Sequence, residues 1–290
     1  MTTEIISSLP PLFSLRRPRV SVDPGMHRSI ATATAVFPRN PLVTGGCSLG
    51  TLAVSVAANR LLATGATPRY ISATFTIDID TPMAALRALA DAMERTAIDA
   101  ETEWLGCSTE FVDRGCSPYG VEVSVFAIGQ MPPDVDYYRD SLRPGDAVIL
   151  SAPAGAHGAA MIAARKGLKE PQVTDDTAPL NDLVHALLRE DYGIRLIAYP
   201  EGGVQAELDV MTAETPWRVE IDPEAAAPSA DVAAVCALSG LDPLTLPTTG
   251  AMLTVVSPQF EAAALAAIRR SAHGARAAVI LSLIHISEPT

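Results

Sequence analysis

The amino-acid sequence predicts a soluble α/β protein built from two domains. A chain of 290 residues is long enough to bury two cores. Apolar residues make up 48% of the chain but aromatic residues only 5%, so Ala, Val, Leu and Ile must fill those cores. Short apolar runs of strand length alternate with longer segments of helical periodicity. We expect an N-terminal arm at residues 1–27, then domains at residues 28–135 and 136–280.

The first predicted domain alternates strands and helices. Alternating and β-branched residues predict strands at residues 28–37, 70–79 and 119–129. A helix is predicted at residues 52–63, before Gly65. A second helix starts at Thr81-Pro82, because proline suits the first helical position. Its apolar face is formed by Met83, Leu86, Leu89, Ala90 and Met93.

The second predicted domain follows a proline-rich link at residues 131–143 and opens with an ordered series of signals. A Pro-Gly-Asp turn precedes an apolar strand at residues 147–151, and a glycine loop at residues 155–158 leads into an alanine-rich helix. Such a loop can bind an anion at the helix N-terminus. Tight packing of the helix is the favoured alternative. Further helices are predicted from Pro179, at 231–238 and at 260–269, and further strands at 192–198 and 251–256.

Charge and hydropathy exclude several classes of protein. The formal net charge of −12 argues against a nucleic-acid partner, because phosphate binding needs clustered basic residues. The short basic cluster at residues 16–19 is interpreted as part of a solvated arm. No apolar run reaches the roughly 20 residues that span a bilayer, and the first residues lack the order of a signal peptide. A cytoplasmic location is therefore expected, without membrane contact.

Four blocks of sequence, in order, resemble the HypE family of hydrogenase-maturation proteins in the PurM (AIR synthetase-like) superfamily. They lie at residues 45–72, 143–165, 178–188 and 238–258; the first reads GGCSLGTLAVSVAANRLLATGATPRYIS. The resemblance implies a PurM-like fold whose N-terminal domains pair into a homodimer, or into a heterodimer with a HypE-like protein. It also implies ATP and Mg²⁺ as cofactors, and other hydrogenase-maturation factors as partners.

The activity implied by the resemblance is ATP-dependent dehydration of a carbamoylated C-terminal cysteine to a thiocyanate. The thiocyanate supplies the cyanide ligands of [NiFe] hydrogenase. This chain departs from the motifs at the metal-binding positions: Ser48 replaces an Asp, Arg60 replaces the Asp of an Asn-Asp pair, and Gly106-Cys107 falls where the family has Gly-Asp. Because Mg²⁺ prefers carboxylate ligands, we expect impaired catalysis or a non-catalytic pseudoenzyme that acts as a scaffold. The nucleotide-binding positions implied by the resemblance are Ser48, Gly50, Asn59, Arg60, Gly106, Cys107, Arg114, Gly202 and Gly203.

Individual polar residues each carry two interpretations. His157 matches the His of a Gly-Asp-His-Gly motif, but the preceding Asp is replaced by Ala156. The acidic partner that could tune the imidazole is therefore expected to be absent, and a loop-stabilising hydrogen bond is favoured over catalysis. Arg114 is expected to contact phosphate or a dimer partner, or to form a surface salt bridge. Glu201 is a candidate metal ligand, but a solvated acidic residue in a loop is the favoured interpretation. Asn59 is expected to hold the glycine loop near Gly50.

The cysteines and the last ten residues complete the predictions. Cys47, Cys107, Cys116 and Cys236 lack the spacing of a zinc site, so each is interpreted as a small hydrophobic residue. A soft-metal or redox role for Cys47 and Cys107 is a further hypothesis. Residues 281–290 resemble translated adaptor sequence and are expected to be non-native.

Overall fold

The computed structural model describes residues 30–39, 43–44, 46–117, 120–132, 141–213 and 217–285. Two compact units divide the chain. The first comprises Met1–Leu61 and Ala66–Asp134, and the second comprises Leu62–Gly65 and Val135–Thr290. The predicted N-terminal arm, its basic cluster and most of the proline-rich link lie outside the described residues.

The first unit is a four-stranded sheet with two long helices. Its strands are β1 (Ile30–Arg39), β4 (Thr67–Asp78), β5 (Glu103–Val112) and β6 (Val121–Gln130), in the order β1-β6-β4-β5. Strands β4 and β5 are parallel, and the other two pairs are antiparallel. A small hairpin of β2 (Val43–Thr44) and β3 (Cys47–Ser48) leads into helix α1 (Leu49–Ala63), and helix α2 (Met83–Asp99) follows β4.

One face of this sheet belongs to the core. On β4 the residues Ile71, Ala73, Phe75 and Ile77 are at most 3% exposed, whereas the residues between them are more accessible. This alternation reflects the two-residue period of a strand, which sends successive side chains to opposite faces. Helix α2 buries Leu86, Leu89, Ala90 and Met93 of its predicted apolar face, and Met83 is half-buried.

The second unit contains a five-stranded sheet in the order β8-β10-β7-β11-β9, with every neighbouring pair antiparallel. Its strands are β7 (Ala147–Leu150), β8 (Ile194–Ala198), β9 (Trp217–Val219), β10 (Leu253–Val256) and β11 (Ala278–His285). Its helices are α3 (Ala156–Lys166), α4 (Asn181–Leu188), α5 (Val204–Thr212), α6 (Ala230–Ser239) and α7 (Glu261–Arg270). Helix α3 packs against α6 through a small apolar cluster that includes Ala160 and Val235, while α4 packs against α7.

The two-sheet α/β architecture confirms the predicted fold class, with differences in individual elements. Strand β5 was not predicted, because its sequence EWLGCSTEFV mixes polar residues with a glycine. Helix α5 and strands β9 and β11 were also not predicted. Strand β11 continues through residues 281–285 of the segment expected to be non-native, and residues 286–290 lie outside the described part. None of the described helices is long and apolar enough to cross a bilayer.

Candidate functional site in the second unit

Sheet register brings several loops of the second unit together at one end of its sheet. Leu253, the first residue of β10, lies opposite Leu150 at the end of β7 and opposite Ala198 at the end of β8. The segments that follow β7 and β8 and the segment that precedes β10 therefore meet at this end. We call the polar residues of these segments, together with residues 175–177, the loop cluster.

The glycine loop of the cluster serves close packing. Gly155 has a φ of +84°, and a Cβ there would lie 2.8 Å from the carbonyl oxygen of Pro243. A Cβ at Gly158 would lie 2.8 Å from Cβ of Leu246. The backbone N–H of Gly155 donates to Oγ1 of Thr248 (2.8 Å), and that of Gly158 donates to the carbonyl of Pro247 (3.0 Å). Two N–H groups that an anion would require are thus already engaged, which supports the packing interpretation.

His157 has a carboxylate partner that the sequence did not reveal. Its Nδ1 lies 2.6 Å from Oδ2 of Asp175, and the two side chains are 8% and 0% exposed. The absence of a carboxylate at position 156 led to the expectation that the imidazole had no acidic partner, and this expectation is wrong. Asp175 lies 18 residues from His157, and loop folding rather than sequence spacing brings them together.

Hydroxyl groups extend the contact between Asp175 and His157. Oδ1 of Asp175 accepts hydrogen bonds from the backbone N–H (3.0 Å) and the hydroxyl (2.5 Å) of Thr177. That hydroxyl also makes a short contact with the hydroxyl of Thr249. The phenol of Tyr199 donates to the carbonyl of Thr249 (3.0 Å). The loop cluster is therefore one connected network with contributions from four segments.

Two adjacent carboxyl groups in this network have opposite pKa shifts. Burial would raise the pKa of Asp175, but hydrogen bonds from His157 and Thr177 outweigh it and hold this pKa below its ordinary value. Burial, followed by the negative charge of Asp175, raises the pKa of Asp176 to about 6. Oδ1 of Asp176 is buried, and no described residue hydrogen-bonds to it. Asp176 therefore carries a proton more readily than its neighbour.

The loop after β8 contains three predicted site residues. Glu201 and Gly203 donate their backbone N–H groups to the carbonyls of Tyr199 and Pro200, both at 2.9 Å, which forms a tight turn. Gly203 has a φ of +116°, and a Cβ there would lie 2.9 Å from the backbone carbonyl of Thr245. A Cβ at Gly202 would meet nothing within 4 Å. The positive φ and the close approach of Thr245 thus require glycine at position 203, whereas position 202 has room for a side chain.

The predicted residues of the first unit have structural contacts. Ser48 precedes α1, and its Oγ accepts the backbone N–H of Thr51 at 3.1 Å, so it caps this helix. A Cβ at Gly50 would lie 2.6 Å from the carbonyl oxygen of Leu89, so Gly50 permits α1 and α2 to cross closely. Asn59 is nine residues further along α1, about 14 Å at 1.5 Å per residue. Asn59 is fully buried, and the contact expected between it and the loop near Gly50 stays a prediction.

Arg60 lies on helix α1, and Gly106 and Cys107 lie on strand β5. The guanidinium of Arg60 donates to the carbonyl of Thr34 on β1. Gly106 and Cys107 are consecutive residues of β5, so their Cα substituents point to opposite faces of the sheet. Cys107 pairs in register with Ala73, whose side chain is in the core.

Arg114 forms the surface salt bridge that was one of its two interpretations. Its Nη2 donates to Oδ1 of Asp80 at 3.0 Å, and the arginine side chain is 81% exposed. Beside it, Asp78 accepts the backbone N–H groups of Asp80 (3.0 Å) and Gly115 (2.7 Å), which lower the pKa of Asp78. These contacts join the turn after β4 to the turn after β5.

The four cysteines differ in burial. Cys47 and Cys236 are buried, as small hydrophobic residues are expected to be, whereas Cys107 is half-buried and Cys116 is exposed. Burial, assisted by the charge of Asp242, raises the pKa of the Cys236 thiol. Within the described ranges, no group of three or more His, Cys, Asp or Glu side chains is placed to hold a metal ion.

Both halves of the chain match known protein domains. Residues 20–131 match the N-terminal domain of AIR synthase related protein, and residues 143–280 match its C-terminal domain. The chain belongs to the AIR synthase related family. It is 36% identical over 244 residues to the carbamoyl dehydratase HypE of Rhizobium leguminosarum bv. viciae, across 83% of this chain and 69% of that protein. This similarity confirms the HypE-like character that the four sequence blocks predict.

Solved structures agree with this assignment within the family. A crystal structure of the hydrogenase maturation protein HypE in complex with ATP aligns with a TM-score of 0.89 and 28% identity, over 99% of this chain and 87% of that chain. The structure of a HypE–HypF complex contains a chain that aligns with a TM-score of 0.85 and 26% identity, over 89% of this chain and 85% of that one. The PurM-like two-domain fold is thereby confirmed.

Proposed function

We propose that this chain is a HypE-like hydrogenase-maturation protein in which ATP-dependent carbamoyl dehydration is impaired. Its relatives carry the name carbamoyl dehydratase, and a similar structure holds ATP. The observation that carries the proposal is the set of structural contacts made by the residues that replace the expected carboxylates. Ser48 caps a helix, Arg60 binds a backbone carbonyl, and Cys107 faces the core side of the sheet.

These residues do not fit a magnesium ion. Mg²⁺ requires hard oxygen ligands, and carboxylates commonly provide them in proteins. A hydroxyl, a guanidinium and a thiol supply at most one such neutral oxygen, and the positive charge of Arg60 repels the metal. The phosphoryl-transfer chemistry of the family relies on the positive charge of the metal ion. Nucleotide without metal remains compatible with Arg60, because guanidinium groups pair directly with phosphates.

Calorimetric titration with ATP, with and without Mg²⁺, followed by an ADP-release assay, tests this proposal. The HypE of Rhizobium leguminosarum, measured in parallel, is the positive control. We expect ADP release at least about 100-fold slower than from that relative, since a lost electrostatic contact to the transferred group costs on the order of 100-fold in rate. Equal turnover together with magnesium-dependent binding would contradict the proposal.

The alternative function is a non-catalytic scaffold that pairs with a second copy or with another HypE-like protein. The exposed sheet face of the first unit favours it. Val36 on β1 is 53% exposed and Phe126 on β6 is 39% exposed, and both belong to the face opposite the core. These two residues are diagonal neighbours on paired strands, and a contiguous exposed apolar patch commonly marks an interaction surface. A complex of a similar protein with HypF makes maturation partners a further candidate.

Sedimentation of the wild type and of two lysine variants tests pairing through this face. Phe126→Lys places a charge on the sheet face and is expected to weaken dimerisation at least about tenfold, because an interface core rejects an unpaired charge. Ile98→Lys is the matched control, since Ile98 is 67% exposed on helix α2. A monomeric wild type, or equal weakening by both variants, argues against the face as a pairing surface.

A further inference from the structure

We propose that Asp175 is the positioning residue of His157 and holds its imidazole with Nδ1 protonated and Nε2 as a proton acceptor. The 2.6 Å contact joins Nδ1 to a carboxylate oxygen. A carboxylate can only accept a hydrogen bond, so the proton of a neutral imidazole must lie on Nδ1. Nε2 then carries the free lone pair of the ring.

The burial of the pair gives this arrangement its strength. The side chain of Asp175 is fully buried and that of His157 is 8% exposed, so water screens their interaction weakly. Asp175 is itself fixed by two hydrogen bonds from Thr177. When a proton moves from a bound N–H, O–H or S–H group to Nε2, the positive charge of the imidazolium is balanced by the Asp175 carboxylate. This role concerns only the protonation of His157 and does not depend on ATP turnover.

The groups around the imidazole favour this state. Asp175 is in contact, and Asp176 acts on the ring through its charge when ionised. Thr177 brings a neutral hydroxyl, whose Oγ1 lies 3.4 Å from Nδ1 of His157 and also contacts the hydroxyl of Thr249 from the segment before β10. Family resemblance places an acidic residue at position 156, next to the histidine in sequence. In this chain the carboxylate comes from a different loop.

Site-specific carbethoxylation, followed by peptide mass spectrometry at a fixed pH, tests the proposal. Diethyl pyrocarbonate reacts with an unprotonated ring nitrogen, so the rate at His157 reports the availability of Nε2. In Asp175→Asn, modification of His157 at Nε2 is expected to slow at least about twofold, because no carboxylate holds the ring proton on Nδ1. Asp182→Asn is the matched control: His273 Nδ1 lies 2.8 Å from Asp182 Oδ1, but these side chains are 37% and 35% exposed. We expect no change at His157 in that variant.

Nitrogen-15 NMR of the wild-type imidazoles provides a second test that requires no substitution. The neutral form of His157 is expected to show the shifts of an Nδ1-protonated ring, which is the minor tautomer of free histidine. His157→Gln assigns the signal. An Nε2-protonated ring, a histidine that never reacts while His273 does, or an unchanged rate of modification at His157 in Asp175→Asn would each overturn the proposal.

Discussion

Ser48 shows at the scale of one residue how a helix can remain intact when a ligand is lost. Serine and aspartate both accept a backbone N–H at the start of a helix, so either residue can cap α1. The charge of the carboxylate is not needed for this contact. Serine in place of the Asp expected from the family therefore lacks the carboxylate and still provides the acceptor for the N–H of Thr51.

Substitution of Ser48 separates these two roles. Ser48→Ala is expected to reduce the free energy of unfolding by about 1 kcal/mol, because the N–H of Thr51 loses its acceptor. Ser48→Asp is expected to retain the wild-type stability. Chemical denaturation of both variants measures the difference. Equal losses in the two variants would show that Ser48 does not act as a cap.

Asp176 should make the protein less stable at neutral pH. Its pKa is raised to about 6, so between its ordinary value of 3.8 and 6 the folded state binds more protons than the unfolded state, and stability falls as the pH rises. Asp176→Asn removes this cost. We expect a gain of up to about 3 kcal/mol at pH 8, since one pKa unit corresponds to about 1.4 kcal/mol, and no gain near pH 4. Urea denaturation across this pH range measures it.

The neighbouring carboxyl group provides a control of opposite sign. The pKa of Asp175 is lowered, so its stabilising contribution is present above the ordinary pKa and is lost as the pH falls through the folded-state value. Asp175→Asn is expected to be less stable than the wild type at pH 8, with a smaller deficit in acid. Shifts of the same sign in both variants would contradict the assigned pKa directions.

At the scale of elements, glycines determine where the segments of the second unit can meet. Gly203 is the N-cap residue of α5, has a positive φ and faces the backbone of Thr245, so an added methyl group has neither the conformation nor the space it needs. Gly202, one residue earlier, is open. The family resemblance implies ligand binding for both residues. Their packing differs, because position 202 has room for a side chain and position 203 does not.

The alanine variants of these two glycines test this distinction. Gly203→Ala is expected to lower the free energy of unfolding by about 2 kcal/mol or more, through backbone strain and overlap. Gly202→Ala is expected to be within about 0.5 kcal/mol of the wild type. Thermal unfolding measures both. Equal effects would mean that the turn accepts a side chain at either position.

Sequence periodicity predicted most elements, because buried faces impose regular spacing on helices and strands. Strands β1, β4, β6, β7, β8 and β10 lie within a few residues of their predicted positions. Strand β5 was missed since its half-exposed surface mixes polar and apolar residues. The loop cluster was missed for another reason: the adjacent Asp175, Asp176 and Thr177 form a polar run in the sequence, but nothing in their spacing indicates contact with His157.

At the scale of the whole molecule, each of the two units has its own sheet and buried residues. Gly50→Ala is expected to disturb the first unit, where its Cβ would meet Leu89, and Gly203→Ala the second. Hydrogen–deuterium exchange of both variants should show protection lost mainly in the unit that carries the change. Equal loss across both units would indicate that the chain unfolds as one cooperative body.

The position of β10 has a consequence for how this protein can diversify. One four-residue strand aligns the ends of two others, so the segments around it share a common anchor that lies within the hydrophobic core. Mutations that exchange polar groups among these segments can alter the chemistry without rebuilding the sheet. Successive mutations can therefore move an acidic group from one loop to another while the sheet is retained.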